Sequence, residues 1–169
     1  MDLQTACTQL QTQAQAITAL ASSLTDEQAR WQPDAESWSV LVVICHLVDE
    51  EIEDFRAHLD HILHTPEAPW PEIDPVGWVT QRRYSDRQPG DALAQFQQER
   101  ERSITWLRSL ENPDWDSAVS HPWGTLTAGD MLASWLAHDL LHTRQLTELR
   151  YQLTQSAAQP YRVGYAGKW

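Results

Sequence analysis

Apolar residues recur every three or four positions in four long segments of the chain, which is the spacing of one face of an α-helix. These segments cover residues 3 to about 23, about 38 to 64, about 91 to 110, and 126 to 153. Thr127 can cap the fourth helix, because Asp130 follows three residues later as in a capping box. No segment shows the alternating pattern of a strand. The pattern therefore predicts an all-α fold, a four-helix bundle.

The connection between the second and third helices is long. It cannot be one helix, because five prolines interrupt it: Pro66, Pro69, Pro71, Pro75 and Pro89. Residues 76–84 within it predict a helical turn or two. A connection of this length lets the two helices run in the same direction, so an up-down-down-up bundle is favoured over a simple up-down bundle. The aromatic tail from residue 156 onward is expected to pack back on the bundle.

We assign residues 1–169 to a single helical domain, since this length supports one hydrophobic core.

Composition and charge exclude several classes of partner. The formal net charge of -12 argues against nucleic acid, which needs a basic face. No apolar run approaches the ~20 residues of a membrane helix and the first residues lack a signal pattern, so we expect no membrane association and a cytoplasmic location. Cys7 and Cys45 are predicted to be reduced.

His138 and His142 lie four residues apart on the apolar face of the fourth helix. At about 100° per residue, their rings project side by side and can share one metal ion. Unpaired imidazoles are costly to bury, so something must satisfy them. The alternative is that the spacing is incidental. A metalloprotease is disfavoured, because the segment HDLLH lacks the glutamate of the HEXXH motif.

A catalytic metal site needs about three imidazole or carboxylate ligands and keeps one position open. His46 is the best candidate for the third ligand, because it lies at a core-compatible position of the second helix. His121, in the link before the fourth helix, is the alternative. His58, His61 and His64 are expected on the surface, solvated or paired with nearby acids.

Several other residues have both a functional and a structural interpretation. Glu50, one turn beyond His46, is predicted to be a general base or an acceptor for a ring N–H, or equally the ion-pair partner of an arginine. Gln145 shares the histidine face and is predicted to bind substrate in a pocket. Arg100 either meets an anionic substrate or, as the favoured interpretation, forms a buried ion pair with Asp139 or Glu50. Five tryptophans either wall the cavity or fill the core: Trp38, Trp70, Trp78, Trp123 and Trp135.

Two segments, WSVLVVICHLVDEE and GTLTAGDMLASWLAHDLLHTRQL, resemble the DinB/YfiT-like superfamily of four-helix-bundle metalloenzymes. The RWQP turn, the region of Tyr84, Phe96 and Arg100, and the closing YAGKW also look like family features, so the resemblance covers nearly the whole chain. It implies that one histidine on the second helix and an HXXXH pair on the fourth bind a divalent metal (zinc, nickel or iron). The matching residues here are His46, His138 and His142.

The resemblance also implies the kind of chemistry. The family includes thiol-dependent S-transferases that use low-molecular-weight thiols, a mycothiol-dependent isomerase and members with no known reaction, and its relatives often pair as homodimers through bundle faces. Three neutral histidines leave the metal charge uncompensated, which suits a bound water or thiol of lowered pKa. We therefore expect a metal-dependent thiol S-transferase acting on a small molecule. The alternatives are a hydrolase and a non-catalytic bundle with a structural metal or a ligand site.

Overall fold

The computed structural model describes residues 2–122 and 124–169, and it is mostly helical. In chain order its elements are α1 (Leu3–Ser22), α2 (Asp26–Arg30), α3 (Val40–Asp49), a π-helical turn (Glu50–Asp54), α4 (Phe55–His64), α5 (Pro75–Gln81), a 3₁₀ turn (Tyr84–Asp86), α6 (Pro89–Ser109), β1 (Ala118–His121), β2 (Gly124–Thr127), α7 (Ala128–Ala157) and a 3₁₀ turn (Gly164–Ala166). The segment from α3 to α4 is the second bundle helix. Within residues 2–122 and 124–169, no helix is both long and apolar enough to cross a membrane.

Side-chain caps fix where the bundle helices begin. The Asp2 carboxylate accepts from Thr5 N at 2.7 Å, and the Ser39 hydroxyl accepts from Val42 N at 3.3 Å. At α7, Thr127 Oγ1 accepts from Asp130 N while the Asp130 carboxylate accepts from Thr127 N, both at 3.0 Å. This reciprocal pair is the predicted capping box.

Two hydrophobic clusters fill the two ends of a four-helix bundle. One joins the end of α1, the start of α3, the start of α6 and the end of α7, with Ile17, Val43, Phe96 and Leu149 among its members. The other joins the opposite ends, with Leu10, Leu59, Leu107 and Leu132 among its members. Therefore α1 and α7 run one way while α3–α4 and α6 run the other, the predicted up-down-down-up order. Each cluster contains one free, buried cysteine, Cys45 in the first and Cys7 in the second.

The link before α7 contains an antiparallel ribbon that the sequence pattern did not predict. β1 pairs with β2 so that Val119 lies opposite Leu126 and His121 opposite Gly124. Four residues offer at most two inward positions, and Val119 is the one that is fully buried. An alternation this short cannot be separated from a loop by periodicity. The ribbon leaves the all-α class unchanged.

The C-terminal tail packs on the bundle less than expected. The ring of Trp169 stacks on Tyr151 with a centroid distance of 4.6 Å, but Trp169 is itself exposed, as are Tyr161 and Tyr165. The last turn of α7, residues 154–157, is exposed as well, so these two rings do not bury it. The expectation that the tail packs back is wrong for both tyrosines.

Candidate metal centre

Three imidazoles from two bundle helices converge inside the bundle. His46 comes from α3, and His138 and His142 come from α7. One ligand nitrogen from each ring can be chosen so that all three lie within 4.8 Å of one another. The ring centroids are 4.4 to 5.5 Å apart. The structure thus brings together the three histidines predicted as metal ligands, in a group that could hold one ion.

The donor geometry fits a shared cation. The Nε2 atoms of His138 and His142 are 3.1 Å apart. Two nitrogens bound to one tetrahedral ion at about 2.0–2.1 Å lie about 3.3 Å apart, close to this separation. Nδ1 of His142 lies 2.8 Å from Oε1 of Gln145, which can accept its N–H. That hydrogen bond leaves the Nε2 lone pair for the ion.

All three imidazoles are held neutral. Burial, together with the neighbouring His142, lowers the pKa of both His46 and His138 to about 3. Burial also lowers the pKa of His142, against an opposing contribution from its hydrogen bond with Gln145. Neutral imidazole is the form that binds a metal ion, so the site requires no deprotonation at neutral pH.

The π turn places two carboxyl groups beside the triad. Oε1 of Glu50 lies 3.6 Å from Nδ1 of His46, and among the described residues neither buried atom has a hydrogen-bond partner. Burial, and then the hydrogen bond that it donates to Asp54, raises the pKa of Glu50 to about 9. Burial alone would raise the pKa of Asp54, but hydrogen bonds with His58 and Glu50 lower it. The metal-free site therefore contains one protonated and one ionised carboxyl.

Sequence reasoning missed Asp54, although a signal for it was present. His46, Glu50, Asp54 and His58 follow one another at intervals of four residues. In an α-helix such a series rotates slowly around the axis, but the wider π turn, marked by the bond from Phe55 N to Glu50 O, keeps it on one side. Nδ1 of His58 lies 2.6 Å from Oδ1 of Asp54. The four side chains form one row that begins at the triad.

Two of the histidines expected on the surface are buried. His58 is 1% exposed and His61 is 7% exposed, because Trp70 from the long connection covers them. The Trp70 ring stacks on His58 with a centroid distance of 4.1 Å and meets His61 edge-on at 5.5 Å. The predicted surface position is wrong for this pair, although His58 does pair with a nearby acid, Asp54, as the prediction allowed. His64 is exposed and paired with Asp60 at 2.9 Å, as predicted.

Arg100 occupies a buried ion pair. Its Nε and Nη2 donate to Oε1 of Glu51 at 2.9 and 2.6 Å. Its Nη1 and Nη2 donate to the two carboxylate oxygens of Asp139 at 2.6 and 2.9 Å, and Nη1 also donates to the carbonyl of Leu10 at 2.9 Å. These contacts use all five N–H groups, so none is left for a substrate. The acidic partners are Asp139, as predicted, and Glu51 in place of Glu50.

A cleft of about 410 Å³ reaches the triad at His142. It lies between the loop before α3 and the second half of α7, and it is lined by Pro33, Glu36, Ser37, Trp38, His142, Gln145, Glu148, Leu149 and Gln152. Gln145 therefore both contacts His142 and lines the cleft, while its binding of substrate stays a prediction. The cleft connects His142 of the triad with the protein surface.

Of the five tryptophans considered as cavity walls, Trp38 contacts the triad. Its ring lies edge-on to His46 at 5.0 Å and parallel to His142 at 6.5 Å. Three of the others lie elsewhere: Trp70 covers His58, Trp78 lies under Arg82, and Trp135 donates to Glu51. Trp123 falls outside the described residues. His121, the alternative third ligand, lies in β1 with its ring 5.8 Å from Trp70, apart from the triad.

The fold and the site together define a class: four-helix bundles with a three-histidine centre that can hold a divalent metal. A family model matches residues 9–146. The chain belongs to the DinB superfamily.

Two solved structures share this fold. YfiT from Bacillus subtilis, described as a probable metal-dependent hydrolase with an unusual four-helix bundle topology, is 19% identical, with a TM-score of 0.78 over 90% of this chain and 87% of its own. A histidine-to-alanine mutant of the mycothiol-dependent maleylpyruvate isomerase is 17% identical, with a TM-score of 0.68 over 86% of this chain and 61% of its own. Among curated proteins no match reaches significance.

Proposed function

We propose that the protein is a metal-dependent enzyme in which His46, His138 and His142 hold one divalent ion. A small-molecule substrate reaches this ion through the cleft at His142. The observation that carries the proposal is the convergence of three neutral imidazoles, with donors within 4.8 Å, beside an accessible cleft. A purely structural zinc site is usually closed by four protein ligands, so three donors beside a cleft favour catalysis.

The proposed reaction is transfer of a low-molecular-weight thiol to an electrophile, with hydrolysis as the second candidate. A bound divalent metal supplies Lewis acidity that lowers the pKa of a coordinated thiol or water. In the transfer, a carbon–sulfur bond forms while a carbon–halogen bond breaks and releases halide, or an epoxide opens and its oxygen takes up a proton. Gln145 orients His142, and Glu50 is the carboxyl placed to exchange protons beside His46.

The two structural relatives favour these two reactions in turn. One is described as a mycothiol-dependent isomerase, which favours a thiol cosubstrate. The other is described as a probable metal-dependent hydrolase, which favours an activated water. Both reactions use the same open coordination position.

Metal content tests the site. Protein purified from unsupplemented growth is expected to contain about one zinc, nickel or iron ion per chain, measured by plasma mass spectrometry. The His46→Ala, His138→Ala, His142→Ala triple variant should lose the ion while circular dichroism shows an intact helical fold. His64→Ala is the matched control, because His64 is exposed and lies outside the triad. A triple variant that keeps the wild-type metal content would refute the site.

Thiol consumption tests the reaction. Metal-loaded protein is incubated with glutathione, bacillithiol or mycothiol and with epoxide or alkyl halide electrophiles. We expect metal-dependent thiol loss with at least one pair, and a decrease of about 10²-fold in Glu50→Gln at unchanged metal content. If no thiol is consumed while ester substrates are hydrolysed in a metal-dependent way, the transferase is rejected in favour of the hydrolase.

A further inference from the structure

The geometry points to a ligand class for the cleft: it selects small molecules that carry a positive charge and disfavours those that carry a carboxylate. The inference deepens the proposed function and rests on it for the metal end of the ligand. The cleft has a volume of about 410 Å³, which lies within the range of small-molecule sites. Because the cleft reaches His142, a ligand with one end at the triad extends its other end along the lining of the cleft.

The charged groups of the lining have one sign. Glu36 and Glu148 contribute carboxylates from opposite walls, one from the loop before α3 and one from α7. Among the described residues that line the cleft there is no lysine or arginine. At the triad end the proposed ion contributes the positive charge, but along the rest of the lining a ligand carboxylate would meet two like charges without a lysine or arginine, whereas an ammonium group would meet two opposite charges.

The neutral polar groups of the lining point to the same class of ligand. Nε2 of Gln152 donates to Oε1 of Glu148 at 3.3 Å, and the buried Oε1 of Gln152 has no hydrogen-bond partner among the described residues. The hydroxyl of Ser37 donates to the Asp34 carboxylate at 2.8 Å, so its proton is already used. The cleft thus offers acceptors, which a donor such as an ammonium group satisfies.

Trp38 adds an aromatic surface to the same lining. Contacts with His46 and His142 on the triad side hold its indole in place. A cation next to an indole face gains about 0.5–1 kcal/mol at exposed sites. The combination of an indole, two carboxylates and an unpaired amide oxygen is suited to an ammonium or other organic cation.

The test uses three ligands that share one metal-binding atom and differ in charge. They are N-alkylimidazoles whose arms end in a primary ammonium group, a methyl group or a carboxylate, so that the ring nitrogen binds the metal and the arm enters the cleft. Binding is followed through the visible spectrum of the Co²⁺-loaded protein at low salt. We expect the cationic ligand to bind about tenfold more tightly than the carboxylate ligand, with the neutral ligand between them.

Charge variants distinguish an effect of the two cleft glutamates on binding from an effect of the overall net charge of the chain. In the double variant Glu36→Gln, Glu148→Gln, the ratio of the two affinities should fall to about twofold. The control variant Glu101→Gln, Glu111→Gln changes the net charge equally at exposed positions outside the cleft and should keep the wild-type ratio. Equal affinities in the wild type, a preference for the carboxylate, or an equal loss in the control variant would overturn the inference.

Failure of the proposed function gives a different result. If the protein takes up no Co²⁺, the metal enzyme is rejected. The charge preference is then measured on the metal-free protein by calorimetry with the same cationic and carboxylate ligands. Preference for the cation, lost in Glu36→Gln, Glu148→Gln, supports the inference without the metal, and no preference overturns it.

Discussion

A single side-chain amide decides which nitrogen of His142 faces the other two rings. Gln145 lies three residues along the same helix, and its Oε1 is 2.8 Å from Nδ1 of His142. An imidazole that donates one N–H to a fixed acceptor is held in one tautomer and one orientation. The ring therefore loses its rotational freedom when α7 folds, and metal binding does not have to restrict it further.

Replacing this amide should weaken metal binding without unfolding the bundle. We expect Gln145→Leu to lower the affinity for Zn²⁺ by about 10- to 100-fold, the range seen when a partner of a ligand histidine is removed. Competition with a chromophoric chelator measures the affinity. Gln98→Leu, at an exposed position of α6, is the control and should bind as the wild type does. An unchanged affinity in Gln145→Leu would show that the contact has no part in the site.

Arg100 should act on stability, because its guanidinium is the cationic partner of two buried acids. Arg100→Met leaves Glu51 and Asp139 unpaired and should lower the free energy of unfolding by about 3–5 kcal/mol. Urea denaturation measures this loss. Arg102→Met is the control, since the Arg102 side chain is 58% exposed and its pair with Glu99 should contribute at most about 1 kcal/mol. Equal midpoints for the two variants would contradict this role.

At the scale of elements, the π turn is the feature that shapes the second bundle helix. It joins α3 to α4 without ending the helix, and it keeps the row from His46 to His58 on one side. The apolar residues of α3 and α4 still reach their separate clusters across it. The turn thus adjusts the register between α3, which carries His46, and α4, which carries His58.

Adding one residue to the π turn should cost more than adding one to a loop. A π turn already holds one extra residue, so an alanine inserted after Glu53 rotates α4 by about 100° relative to α3 and turns Leu59 and Ile62 away from the core. We expect a large fall in melting temperature, or no folded protein. An alanine inserted after Glu67, an exposed residue of the long connection, should be tolerated. Glu53→Ala tests the loss of the Arg82 ion pair alone and should lower stability by about 1 kcal/mol at most. An insertion after Glu53 with wild-type stability would contradict a register role.

The helices were predictable and the π turn was not, for one physical reason. Long amphipathic segments repeat their apolar positions many times, so α1, α6 and α7 appear in the sequence with their limits correct to a few residues. A π turn changes the repeat once, and a four-residue ribbon contains too few positions to show one. His46, His138 and His142 were predictable because they share the apolar faces, whereas the burial of His58 depends on Trp70 from a distant connection.

At the scale of the whole molecule, burial of neutral imidazoles links stability to pH. In the folded metal-free protein the pKa of His46 and His138 is lowered to about 3, so both stay neutral until the pH falls that far, whereas in the unfolded chain they take up protons near their ordinary pKa of 6.5. Acidification therefore favours the unfolded state. Glu50 works in the opposite direction, because its pKa is raised from 4.5 to about 9 and the folded state keeps the proton.

The two histidines should make the metal-free protein less stable as the pH decreases. Relative to the variant His46→Gln, His138→Gln, the wild type should lose up to about 1.4 kcal/mol per pH unit for each imidazole between pH 6.5 and pH 4. Urea titrations of both proteins in a chelator at pH 7, 6 and 5 measure the difference, in which the contribution of Glu50 largely cancels. Parallel pH profiles would show that these imidazoles are protonated as readily in the folded state as in the unfolded chain.

The up-down-down-up order places the ligands of one centre far apart in the order of synthesis. His46 leaves the ribosome early, whereas His138 and His142 belong to the last bundle helix to be made. In the proposed site the cation can therefore be captured only after α7 has been made and has docked against the earlier helices. For the proposed metal enzyme, a cell short of metal would accumulate folded but unloaded chains, and supplying the ion later would activate them without new protein synthesis.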